Sequence, residues 1–150
     1  MDIRLDDLSG AATQALLRLH LAGMHAKSPP GHVFALDLSG LKAADVTVWS
    51  AWEGTSILGI GALKQHDSYL GEVKSMRTHP DYPCKGVGGA ILEHGEARTR
   101  NLGMLSLETG SGPAFEPALA LYRKRGFVDG GPFADYEPSS FNRFLHLKLA

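Results

Sequence analysis

Between Met76 and His94 the chain reads MRTHPDYPCKGVGGAILEH, and partway along it the period of apolar residues changes. Before this stretch the side chains alternate as in a strand; from Gly86 onward they recur at nearly four residues, as in a helix. Gly86, Gly88 and Gly89 stand where the strand-like segment opens onto the helix. The first N–H groups of a helix lack intrahelical partners, and its dipole puts about half a positive charge there. Glycines let a ligand approach that backbone without a Cβ in the way. The bend therefore suits phosphate oxygens, with Lys85 adding a charge. It does not identify the phosphate. No Lys-Ser/Thr pair follows the glycines, as a Walker loop needs, and their spacing is not the G-x-G-x-x-G of a dinucleotide fold. A glycine-rich helix start with no ligand is the plain alternative.

The surrounding pattern predicts one α/β domain over residues 1–150. Ile3 to Leu5 reads as a short strand. Ser9 is a candidate N-cap for a helix carrying Ala12, Leu16, Leu19 and Gly23, which Pro29 and Pro30 stop. After a polar interval with room for a short helix, VTVWSAW (Val46 to Trp52) and SILGIGALKQ (Ser56 to Gln65) read as a hairpin turning at Glu53-Gly54-Thr55. LGEVKSMRT (Leu70 to Thr78) is a third strand of that meander. In the next helix Val87, Ile91 and His94 share a face with Ala90 and Ala97, Glu96 and Arg100 pair outside, and Gly103 fits the C′ position. MLSLET (Met104 to Thr109) is a strand and PAFEPALALYRKR (Pro113 to Arg125) a helix. Gly126 ends that helix, with Phe127 packing back in a Schellman-type contact. FNRFLHLKL (Phe141 to Leu149) is a closing strand, and SPPG and GGP mark loops.

Composition narrows the function. A net charge of −1 and a pI near 6.6 offer no electrostatic case for nucleic acid or an anionic membrane. No apolar run approaches the roughly 20 residues that cross a bilayer, and the first residues, MDIRLDDLSG, lack the basic and apolar regions of a secretory signal. The lone Cys84 excludes an internal disulfide and a multi-cysteine metal site, and no metal is expected. Cytoplasm is the expected location.

VKSMRTHPDYPCKGVGGAILEH resembles motif A of the GNAT superfamily of acyl-CoA-dependent N-acyltransferases, whose loop is usually written Gln/Arg-x-x-Gly-x-Gly/Ala. ALYRKRGF (Ala120 to Phe127) resembles its motif B, with Tyr122 four residues before Gly126-Phe127. The element order fits over almost the whole chain. The resemblance implies a mixed, mostly antiparallel sheet of six to seven strands flanked by about four helices. It also implies a splay between two parallel strands, Glu72 to Thr78 and Met104 to Thr109, with acetyl-CoA in the cleft. Its pyrophosphate would be held by backbone N–H groups of Cys84, Lys85, Gly86, Val87, Gly88 and Gly89, and its pantetheine would pair with the strand edge at Met76 and Thr78. Two positions depart from the pattern. Pro83 stands where Gln or Arg is usual, and Phe115 where many members carry a cofactor-binding Asn. With both changes CoA binding is expected to persist but weaken, or to rely more on Lys85.

The implied reaction is direct acetyl transfer from acetyl-CoA to a primary amine of a small molecule or peptide. The Met76 N–H is placed to donate to the thioester oxygen, and Tyr122 to protonate the leaving sulfur, where a packed helix tyrosine is the bland reading. Glu72 is a candidate base. It lies eleven residues before Pro83, a spacing that matches a catalytic Glu in some members. Burial would raise its pKa; the alternative is an exposed pair with Lys74. Glu108 orients the amine or replaces Glu72, and some members use water instead of a single base. His66 and His79 are read as solvated loop histidines, and a Cys84 acyl relay is set aside because the pyrophosphate site is far from the thioester.

The acceptor should be chosen by Met24 to Asp37, which carries His25, His32, Phe34 and Asp37, and by Gly130 to Phe141, which carries Phe133, Asp135 and Tyr136. Phe34 and Tyr136 head the candidates, since aromatics with carboxylates suit a cationic amine. Members of the superfamily are often dimers, which makes a homodimer an expectation, though no interface pattern stands out. Pro83 and Phe115 keep open a second reading, an acyl-CoA-binding sensor or interaction module without efficient catalysis. A transferase using another phosphate-bearing ligand is a third.

Overall fold

In the computed structural model, which describes residues 1–83 and 85–149, the period change near Gly86 becomes a strand, a left-handed glycine and a helix. The elements are β1 (Asp2–Leu5), α1 (Ala11–Lys27), α2 (Leu38–Leu41), β2 (Val46–Glu53), β3 (Ser56–Gln65), β4 (Leu70–Thr78), α3 (Val87–Arg98), β5 (Met104–Thr109), α4 (Glu116–Lys124), β6 (Val128–Gly130) and β7 (Arg143–Lys148). The strands form a sheet of order β1-β2-β3-β4-β5-β7-β6, in which β4 and β5 are parallel and the other neighbours antiparallel.

Alternation along the strands splits the core between two faces. Val48, Ile57, Ile60 and Ala62 pack with Leu16 and Leu17 of α1 and Leu41 of α2. Trp49, Leu63, Val73, Leu105 and Leu107 pack with Leu92 of α3 and Leu119 and Tyr122 of α4. The sheet is thus covered on both sides, and the residues of β4 divide between them. Glu72 and Lys74 lie opposite Lys64 and Ala62, on the α1 side, while Val73 faces α3.

Several boundaries move from the expected ones for local reasons. Gly10, not Ser9, caps α1; Ser9 Oγ donates to Asp7 instead, at 2.6 Å. The α3 helix stops at Arg98, and the Thr99 hydroxyl donates to the Gly95 carbonyl at 2.9 Å. Gly103 is therefore not its C′ residue; a Cβ there would lie 1.9 Å from the Tyr69 ring. Glu96 and Arg100 do not share the helix, and Ala97 is exposed where Leu92 and Gly95 are buried. Gly130, expected in a loop, pairs with Phe144 in β6.

Glycines at 59 and 61 sit inside β3, where glycine weakens a strand unless something approaches closely. A Cβ on Gly61 would lie 2.5 Å from Met76 Sδ and 2.6 Å from Ile91 Cγ2. That gap admits an irregularity in β4. Gly59 opposes Thr78 and Ile60 opposes Arg77, but Ala62 opposes Lys74, so Ser75 and Met76 together face Gly61. This is a β-bulge, with Ser75 at φ 55°.

Candidate active site

The bulge coincides with the end of the parallel pairing. β4 and β5 share three register pairs, Leu70–Met104, Gly71–Leu105 and Glu72–Ser106, and then part. Beyond that point β4 stays with β3 and β5 with β7. Main-chain groups of Ser75 and Met76 are left outside either ladder, which is costly unless something else pairs with them. A cavity of about 160 Å³ occupies the gap, lined by both strands, α1 and the start of α4.

Glu72 lies on the wall of this cavity at the closed end of the seam, 3% exposed. Its carboxylate is fully engaged. His66 Nε2 meets Oε1 at 2.8 Å, Lys74 Nζ donates to Oε2 at 3.2 Å, and the Tyr136 hydroxyl donates to the same oxygen. Lys74 also donates to the Tyr136 oxygen at 2.9 Å and lies over its ring. The pair with Lys74 foreseen from the sequence therefore forms, but in the interior, and His66 joins it rather than remaining a free loop histidine. Phe34 packs edge-on against Tyr136, 5.2 Å between centroids, and reaches the cavity, whereas Tyr136 braces Glu72 from behind.

Glu108 is the contrasting carboxylate. It lies on β5, on the same face as Ser106, and lines the cavity. Burial pushes its pKa up to about 7; Lys74 pulls it down, Glu72 raises it further and Asn142 lowers it by a hydrogen bond. A carboxylate balanced near neutrality can exchange a proton at ordinary pH.

Tyr122 reaches the same cavity from α4. A Schellman motif sets it: Phe127 N–H donates to the Tyr122 carbonyl at 3.0 Å, Gly126 N–H to the Arg123 carbonyl at 3.1 Å, and Gly126 has φ 96°. Phe127 packs on the Tyr122 ring at 5.9 Å. Burial raises the phenol pKa far above its usual value, keeping the proton on. Phe115, at the α4 N-cap, lines the cavity and packs against Phe141 at 5.5 Å.

At the other end of the bulge, Gly86 caps α3 at φ 71°, and a Cβ there would meet nothing within 4 Å. The Ala90 N–H returns to the Gly86 carbonyl at 3.0 Å, which leaves the N–H groups of Val87, Gly88 and Gly89 as the unpartnered first turn. Free N–H groups and the helix dipole give this end the chemistry of an anion site. Gly88 has a different reason for being glycine: a Cβ there would lie 2.7 Å from Leu121 Cδ2 of α4. Lys85 Nζ stands 3.5 Å from Glu53 and over the Tyr82 ring, so its charge is shared with the β2–β3 hairpin. Thr78 ends β4 opposite Gly59, between bulge and helix start. Cys84 lies outside the described residues.

Three residues escaped sequence reading. His20 of α1, Ser75 and Arg77 line the cavity, and His20 Nδ1, Ser75 Oγ and Arg77 Nε are buried without a hydrogen-bond partner. The one signal for them was Gly23, mid-helix, where glycine costs about 1 kcal/mol relative to alanine. Its missing Cβ makes room for the Arg77 guanidinium.

A family model for the acetyltransferase (GNAT) domain matches residues 44–129. The chain is similar to the uncharacterized N-acetyltransferase YedL of Escherichia coli (strain K12), 48% identical over 149 residues that cover 98% of this chain and 94% of that protein. In three dimensions it is similar to a Klebsiella pneumoniae protein designated an acyl-CoA N-acyltransferase, with TM-score 0.82, 26% identity and 99% and 97% of the two chains covered. A GNAT-family acetyltransferase from Elizabethkingia anophelis, crystallised with acetyl-CoA bound, matches in fold with TM-score 0.70 at 19% identity, over 99% and 97% of the chains.

Proposed function

The chain belongs to the GNAT family of acetyltransferases and is an N-acetyltransferase; from that premise we propose that acetyl-CoA donates its acetyl group directly to a primary amine held beside Glu108. The whole of residues 1–150 acts as one domain. A single cysteine suits a reducing cytoplasm, where this reading puts the activity.

The observation that carries the proposal is the coincidence of three features at one point: β4 bulges, its pairing with β5 ends, and Glu108 and Tyr122 border the opening. The donor supplies a thioester whose thiolate is already a fair leaving group, so the protein's contribution is mostly placement. Backbone N–H groups of Val87, Gly88 and Gly89, with Gly86 leaving the approach open, bind the diphosphate, and Lys85 adds a shared charge. The freed edge at Met76 and Thr78 pairs with amide groups of the pantetheine arm, as an added strand would. Met76 N–H donates to the thioester oxygen as charge develops there.

Glu108 takes the proton of the acceptor amine, and Tyr122 delivers one to the sulfur. Glu72 serves a different purpose than a base. Already shared among His66, Lys74 and Tyr136, it holds Lys74 and the Tyr136–Phe34 wall in place. Phe34 lines the acceptor's path.

The test is CoA-thiol release from acetyl-CoA over a panel of primary amines, for the wild type and Glu108→Gln. Wild-type kcat/KM should rise with pH through about 7, because a protonated Glu108 cannot accept a proton. Glu108→Gln should lose about 10²–10⁴-fold and no longer show that rise. An unaltered pH profile in the variant removes Glu108 as the base. Tight acetyl-CoA binding without thiol release from any amine defeats the catalytic proposal altogether.

A further inference from the structure

A buried polar atom without a partner costs about 1–3 kcal/mol, so natural folds keep few of them. Here three meet in one cavity. His20 is 6% exposed and Ser75 9% exposed, and each leaves its side-chain polar atom unpaired, as Arg77 does its Nε. Among the described residues Arg77 joins no ion pair. Its position is nevertheless set. A Cβ on Gly23 would lie 3.3 Å from Nη1 and 3.6 Å from Nη2, so the guanidinium lies against the α1 backbone.

We propose that Arg77, His20 and Ser75 form a carboxylate-recognition subsite, and that the acceptor is a small primary amine which itself carries a carboxylate. The inference rests on the acetyl-transfer reading and deepens it. A guanidinium presents N–H donors in a fork that matches a carboxylate, the Ser75 hydroxyl donates one more, and an imidazole protonated at Nδ1 donates a third without adding charge. Burial and the neighbouring Arg77 hold His20 neutral, with its pKa lowered to about 4. Lys27, from the last turn of α1, adds a second cation to the same lining. Glu108, on β5, lines the same cavity and is the anionic group that attracts the amine. The lining thus offers cations from β4 and α1 and an anion from β5, the complement of an amino acid's own charges. Glu72 and Glu108 add negative potential nearby, which favours a singly charged carboxylate over a doubly charged phosphate.

The experiment measures initial rates of CoA release with acetyl-CoA and matched acceptors: glycine, β-alanine, γ-aminobutyrate and leucine, each against its carboxamide, together with aminoethyl phosphate. The expected result is at least one amino acid exceeding its carboxamide in kcat/KM by roughly 10–100-fold. Arg77→Gln should bring that ratio close to one while acetyl-CoA affinity by calorimetry stays within about twofold, and Gly23→Ala, which crowds the guanidinium, should lower the ratio in part. Carboxamides used as well as carboxylates, preference for the phosphate, or a ratio unmoved in Arg77→Gln each overturn the subsite and leave acetyl transfer standing. The wild-type comparison decides even if a variant misfolds. Absence of CoA release from every acceptor, with acetyl-CoA still bound, overturns both readings.

Discussion

The two ends of the β4–β5 seam hold similar residues under opposite conditions. At the closed end Glu72 and Ser106 form the last β4–β5 pair, Lys74 follows two residues on, and every charge has a partner; Ser106 even donates to His146 at 2.7 Å, whose other ring nitrogen meets the Gly131 carbonyl. At the open end Glu108, Ser75, Arg77 and His20 face a cavity, and polar atoms of the last three are unpaired. Burial alone does not separate the two ends, since Glu72 is the more buried carboxylate. What separates the two ends is whether the fold itself answers each polar group. In the proposed reading the satisfied end is a frame, and the unsatisfied end is completed by substrate.

That contrast breaks most easily through its two glutamates. Glu72→Ala leaves the ammonium of Lys74, 9% exposed, without its carboxylate, and should cost about 3–5 kcal/mol in denaturant unfolding. Glu108→Gln should act in the other direction. Glu108 has a folded pKa of about 7 against an ordinary 4.5, so between those values the folded protein holds a proton that the unfolded chain has released. Its contribution to stability therefore falls as pH rises through that window. The Gln variant should be the more stable above pH 7, on the order of 1 kcal/mol after discounting for partial exposure, with the gap closing toward pH 4.5. Equal destabilisation by both substitutions erases the distinction between frame and site.

Tyr122→Phe sharpens it next. The hydroxyl keeps its proton at every working pH, and its loss should lower kcat about a hundredfold with acetyl-CoA affinity held within twofold. Parallel losses in both quantities would make Tyr122 a packing residue of the core instead. Lys85→Ala should matter least. The side chain is 44% exposed and shared with Glu53, so acetyl-CoA affinity should fall no more than about fivefold by calorimetry. A much larger loss means that the lysine, and not the helix start, holds the phosphates.

Much of the frame was legible in residue order. The hairpin at Gly54, the third meander strand and the Tyr122–Gly126–Phe127 helix end all follow from local period and from glycine at positive φ, and each formed. So did the parting of two parallel strands that the family resemblance implied. The surroundings of the two glutamates were not legible. Glu72 reads equally as a buried base or as half of an exposed pair with Lys74, because neither its burial nor the arrival of His66 and Tyr136, the latter 64 residues away, has a local signal. Gly88 reads as an opening for ligand, yet the constraint on it comes from Leu121 of another helix.

Residue order by itself determined the alternation that makes the strands, the glycine that ends α4, the glycine-rich start of α3, and through them the family. These depend on neighbours within a few residues, where backbone sterics and periodicity act. Only the tertiary structure decided where β4 bulges, because that depends on Met76 finding the space left by Gly61 beneath Ile91. It also decided which polar groups are answered and which wait, because hydrogen bonds are satisfied in space, by partners from α1, β5 and the β6–β7 connection that no local spacing brings together.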